Sequence, residues 1–133
     1  MAITKVALDT TTGTGKSITA LASGSAFTTD SWDITAGISH EIEISVANAS
    51  GTPDPTQGSV DVEIFASQDN VNYTSESVFS FSFSPDATSY RYSVAFPGLE
   101  RSYIKVKITN NMKDASAVGI SADFAVAIKE VRN

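Results

Sequence analysis

Five segments of this chain alternate apolar and polar residues strictly enough to impose a period of two. Ile42, Ile44 and Val46 alternate with Glu41, Glu43 and Ser45, and Val60, Val62 and Ile64 with Asp61 and Glu63. Tyr90, Tyr92, Val94 and Phe96 alternate with Arg91 and Ser93, and Ile104, Val106 and Ile108 with Tyr103, Lys105 and Lys107. The last run carries Val118, Ile120, Ala122, Phe124, Val126 and Ile128 against Ser121, Asp123 and Lys129. Successive side chains of a strand leave on opposite faces, so each run offers one apolar and one wet face. A helix would scatter the same residues around its circumference.

The segments between these runs carry turn chemistry. A first strand is expected over Ala2–Asp9, with Val6 and Leu8 on one side, followed by a Thr/Gly turn over Thr10–Lys16. Ser17–Ala22 and Ala26–Ile34 read as extended pieces separated by Ser23-Gly24-Ser25, and His40–Asn48 as a strand. Ala49–Gly58 reads as a loop, because Pro53 and Pro55 cannot donate to a ladder and bias the residues before them to extended geometry. Ser59–Ser67 is a strand, and Gln68-Asp69-Asn70 a hairpin turn with Asn70 the candidate for positive φ. A strand from Asn72 to Ser84, bent around Ser75–Ser77, is stopped at Pro85-Asp86. Ser89–Phe96 ends at Pro97-Gly98, and Arg101–Thr109 leads into a polar loop, Asn110–Ala115. Ala117–Val131 is one long strand or two joined by a bend. Eight to ten strands about a dozen residues apart predict an all-β, antiparallel two-sheet sandwich, jelly-roll or immunoglobulin-like. At 133 residues one domain is expected, with 1–24 as a candidate extended arm because its turn-rich pieces are the least core-like.

Composition removes several classes of function. The chain has no cysteine, which excludes disulfides, thiolate metal sites and cysteine nucleophiles. Its formal net charge is −6 with the nine basic residues scattered, which argues against a nucleic-acid partner. The N-terminal stretch lacks the long apolar core of a signal peptide, and no run is long enough to span a membrane.

The motifs that suggest chemistry all meet a plainer reading. Gly15-Lys16-Ser17 resembles the end of a phosphate-binding loop, but Thr10 stands where that motif needs glycine, and no helix follows. His40, the single histidine, is in register with Ile42 and Ile44 and reads as a structural residue at the core edge. Glu41 and Glu43 share a face about 7 Å apart, as glycosidase carboxylates can, and so does any solvated strand face. Asp54, Asp69, Asn70 and Asp86 offer oxygen ligands in loops without the regular spacing of a calcium site. No catalytic, cofactor or metal site is therefore assigned, and none of these groupings makes the chain an enzyme. Trp32, Tyr73 and Tyr103 form the candidate interaction surface, with Tyr103 out of phase with Ile104 and Trp32 among Asp30, Ser31 and Asp33. Phe79, Phe81 and Phe83 read as core.

The stretch Val62-Glu63-Ile64-Phe65-Ala66-Ser67, then Gln68-Asp69-Asn70-Val71-Asn72-Tyr73, then Tyr103-Ile104-Lys105-Val106, has a recognisable cadence. It resembles small β-sandwich virion proteins of tailed phages, such as capsid decoration proteins. It is also similar to discoidin-like sugar-binding jelly rolls. Asn70 and Tyr73 stand where those patterns favour Gly and Trp. The first resemblance implies a non-enzymatic virion protein, made in the host cytoplasm. Its partners would be the capsid protein and further copies of itself. The second implies a carbohydrate-binding module or host-receptor adhesin built on the aromatic residues.

Overall fold

The alternating runs become strands, except that Val118 and Ile120 of the last run precede its strand. The computed structural model describes residues 4–8, 15–96 and 102–132. Ten strands follow in chain order: β1 (Thr4–Leu8), β2 (Ser17–Leu21), β3 (Ala26–Thr28), β4 (Trp32–Asp33), β5 (Ser39–Ala47), β6 (Ser59–Ser67), β7 (Phe79–Phe83), β8 (Tyr90–Phe96), β9 (Tyr103–Asn111) and β10 (Ala122–Arg132). One sheet runs β1-β10-β5-β8 with β2 also on β10, and the other β3-β9-β6-β7 with β4 also on β9. Every pairing is antiparallel. Of the consecutive pairs from β5 onward, only β6 and β7 are neighbours in one sheet; the other connections cross between sheets. That winding is a jelly roll. An immunoglobulin-like order would keep more consecutive strands side by side.

The core is what the period of two demands. Ile42, Ile44 and Val46 from β5 and Phe124, Val126 and Ile128 from β10 face Val60, Val62 and Ile64 from β6 and Ile104, Val106 and Ile108 from β9, all buried. Their partners on the alternate positions reach the surface, as the strict in–out burial of β5 and β9 shows. Removing that much apolar area from water, at about 25 cal/mol per Å², is the main term holding the sheets together.

Several elements depart from the expected boundaries. Ala26–Ile34 is broken into β3 and β4 because Thr29 intervenes: its amide donates to Val106 O at 2.8 Å, and its hydroxyl accepts the Val106 amide at 3.0 Å. A side-chain oxygen thus replaces a carbonyl in the ladder. The expected strand from Asn72 shrinks to β7, since Ser67 and Tyr73 form only an isolated bridge. The final strand starts at Ala122, not Ala117. Asp114 accepts the amides of Ser116 and Val118, and Ala117 takes a positive φ of 61°, which turns the chain before β10. Asn70 does adopt positive φ, 61°. Phe83 is core as expected, but Phe79 and Phe81 are only half-buried, because β7 is the outer strand of its sheet.

Asn110 is the largest correction. The expected polar loop begins inside β9, and Asn110 is 0% exposed. Its Nδ2 donates to Leu21 O at 2.9 Å and Ile120 O at 2.8 Å, while Oδ1 accepts the Met112 amide at 2.9 Å. One side chain ties β9 to β2 and to the approach of β10. Within the 1–24 segment, β1 and β2 lie along β10 of the chain's own sheet. Pro97-Gly98 and most of Thr10–Lys16 lie outside the described residues.

Candidate functional site

Two of the three expected contact aromatics flank Ser67 at one end of the second sheet. β6 ends at Ser67, which is paired with Tyr103 on one side and bridged to Tyr73 on the other. Tyr103 leaves the outer face of β9, as its phase predicts, and both tyrosine side chains are partly exposed. Lys105, two residues on along the same face, holds Nζ 4.7 Å from the centre of the Tyr73 ring. Phe65 lies opposite Lys105 across β6 and β9, also on the outer face and half-buried. Sequence reasoning does not reach Lys105 or Phe65, because the Lys105 contact with Tyr73 and the place of Phe65 beside it depend on strand pairing. The only signal of it in the chain is their outward phase.

The loop after β6 is held by its own polar groups. The Asp69 carboxylate accepts from the Val71 and Asn72 amides at 2.9 and 2.8 Å, from Asn72 Nδ2 at 2.9 Å and from the Ser67 hydroxyl at 2.9 Å. Ser67 Oγ in turn accepts the Asp69 and Asn70 amides. These donors, the Asn72 and Val71 amides first, hold the Asp69 carboxyl far below the usual carboxylate range. The Tyr73 hydroxyl donates to Asn70 Oδ1. Burial pushes that phenol upward, against a hydrogen bond with Ser31, and the nearby Asp69 charge adds to the rise. Ser67, Gln68, Asp69, Asn72, Tyr73 and Thr74 line an open depression of about 300 Å³.

Trp32 does not join this surface. It is 2% exposed, since β4 pairs Trp32 with inward-facing Ile104 and so turns the indole into the core. Its neighbour Asp33 pairs with Tyr103 instead and stays exposed. A second groove, of about 430 Å³, runs beside Ser31, Trp32, Asp33, Thr35, Lys16 and Arg132. The Asp33 carboxyl is lowered by its hydrogen bonds with Thr35, with Arg132 adding to the effect. Lys16, from the phosphate-loop-like motif, is buried with Nζ 5.2 Å from the Trp32 ring, and Ser17 opens a strand rather than a helix. The side chain of Ser31 thus connects the two depressions.

The remaining candidates are structural in their surroundings. His40 is buried, stacked on Phe96 with ring centres 5.3 Å apart, and its Nε2 lies 3.2 Å from the buried Glu130 carboxylate, which Arg132 also pairs. Glu43 accepts from the Ser93 hydroxyl at 3.1 Å, and Glu41 stands opposite Lys129. Asp54 caps its own turn by accepting from the Thr56 amide and hydroxyl. Among the described residues no group of three or more acidic or histidine side chains is arranged to hold a metal ion.

No protein-family model and no curated protein sequence matches the chain. Among solved structures, a family-4 carbohydrate-binding module superimposes with a TM-score of 0.46 at 13% identity, over 80% of this chain and 59% of that one. This chain therefore spans less than two thirds of that protein. A family-36 carbohydrate-binding module domain of a multidomain xylanase, from the hindgut metagenome of Trinervitermes trinervoides, gives 0.46 at 8% identity, over 99% and 98%. The enzymatically active domain of tailspike protein 4 from bacteriophage CBA120 gives 0.43 at 13% identity, over 80% of this chain and 13% of that one. These are likenesses of sandwich architecture, and the assignment of a site rests on the geometry above.

Proposed function

We propose that this chain is a non-enzymatic carbohydrate-binding module whose contact surface is built on Tyr73 and Tyr103. The observation that carries this reading is the placement of Tyr73 and Tyr103 on either side of Ser67, with Tyr73 lining a polar depression. A sugar presents C–H groups on its faces and hydroxyls on its rim. Aromatic faces suit the first and fixed amide and carboxylate groups the second. Asp69 is held as a carboxylate by the loop's own donors, and Gln68 is exposed beside it. The loop is therefore set before any ligand arrives, which lowers the ordering cost of binding. Capsid decoration has no observation behind it in the site or in the structural likenesses.

A glycan array probed with the wild type, Tyr73→Ala and Tyr103→Ala tests the proposal. The wild type should bind a defined subset of glycans, and each variant should bind at least about tenfold more weakly, equivalent to ~1.4 kcal/mol. An array with no binding above background, or variants that bind as the wild type does, would overturn it.

A further inference from the structure

The edges of this sandwich are not equally protected. An exposed edge strand invites pairing with another chain, and proteins blunt such edges with charge, proline, bulges or short strands. One edge of the first sheet is split between β1 and β2, with Lys5 on β1 and a register shift opposite β2 at Ala122/Phe124. The corresponding edge of the second sheet is split between β3 and the two-residue β4, which carries Asp33. β8 carries Arg91 on its outer face. β7 has none of these devices. It is an unbroken five-residue strand, Phe-Ser-Phe-Ser-Phe, and among the described residues it pairs only with β6.

We propose that β7 pairs with the β7 of a second copy about a two-fold axis, joining the two second sheets edge to edge. The strand reads the same in both directions. Antiparallel pairing centred on Phe81 therefore sets Phe81 against its equivalent, Phe79 against Phe83, and Ser80 against Ser82. No charge is buried or opposed within that ladder. The pairing also covers rings that the single chain leaves half-exposed on this flank: Phe79, Phe81 and, stacked 5.7 Å from Phe81, Tyr92. Val78, 37% exposed, adjoins the same edge. A five-residue edge is only about 17 Å long. The contact falls short of the roughly 800 Å² per partner of a standard interface, so the dimer should be weak, on the order of 100 μM. Two chains of net charge −6 also repel, and salt should tighten the association.

Sedimentation velocity across a range of concentrations, at low and high salt, tests this. The wild type should shift from monomer to dimer, and Ser80→Lys/Ser82→Lys should weaken the association at least tenfold. Both substituted serines are exposed, so the variant should fold, and circular dichroism checks that it does. Thr28→Lys, on the opposite edge of the same sheet, should dimerise as the wild type does. A wild type that stays monomeric throughout, or a Thr28→Lys variant that loses association equally, would overturn the proposal. The glycan-binding test is independent of this outcome, because the tyrosines lie on β9 and the loop.

Discussion

Asn110→Asp isolates the hydrogen bonds that a single buried side chain supplies. The substitution keeps size and shape and removes two donors. Oδ1 can still accept the Met112 amide, but the carbonyls of Leu21 and Ile120, 2.9 and 2.8 Å from Nδ2, lose their donor. A buried polar group left without its partner costs about 1–3 kcal/mol, so the two together cost roughly 2–6. A carboxylate in the same place would oppose two carbonyl oxygens, and burial raises its pKa. The variant should therefore lose about 4 kcal/mol at neutral pH. For a chain of this size that is a fall in melting temperature of roughly 10–20 °C. The introduced carboxyl also fixes the sign of a pH effect. A group whose folded pKa is raised penalises the fold while it is ionised, and the penalty shrinks as falling pH protonates it. The gap between variant and wild type should narrow on acidification. Thermal melts by circular dichroism at several pH values read both quantities. A melting temperature within about 3 °C of the wild type at neutral pH would refute the reasoning, because it would mean those carbonyls had found other donors.

Two further predictions concern the loops. Gly58→Ala would place a Cβ 2.1 Å from Asn111 O and 2.9 Å from Lys113 N, both backbone atoms, and should cost about 3 kcal/mol, as overpacking does. Gly24→Ala meets nothing within 4 Å and strains only a positive φ of 85°, so denaturant titration should show it losing about 1 kcal/mol. The carboxyls of Asp33, Asp54, Asp69 and Asp123 are all lowered by hydrogen bonds made in the fold. Their contribution is present above the unfolded carboxylate pKa and lost as pH falls below about 4, so melting temperature should hold between pH 7 and 5 and then drop. Asp69→Asn should flatten that acid limb, and an unchanged limb would count against the loop's role.

What the chain discloses in one dimension is its faces. The alternation places Ile42 to Val46, Val60 to Ile64 and Ile104 to Ile108 in the core, because a strand sorts its side chains without reference to any partner. Position 110 is different. An asparagine after Ile108 and Thr109 looks like the start of a turn, and only the arrival of Leu21 and Ile120 beside it turns it into a core residue. Trp32 has polar neighbours in the chain and Ile104 as its neighbour in space, so local composition misplaces it. The same limit applies to the tyrosines. Their exposure is readable from phase, but residues thirty apart come to flank Ser67 only through the pairing of β6 with β9 and the bridge to Tyr73.

The place of β10 in its sheet has a consequence for how the protein is made. This strand lies between β5 on one side and β1 and β2 on the other. Among the described residues it is the last strand, and of the first sheet's described pairings only β5 with β8 can form before it leaves the ribosome. Until then the apolar face of β5, with Ile42, Ile44 and Val46, lacks its neighbour, and β1 and β2 have no sheet to join. Contacts so distant in sequence make folding slow, and the waiting strands are open to wrong partners. Premature termination ahead of Ala122 should thus yield aggregation-prone chains.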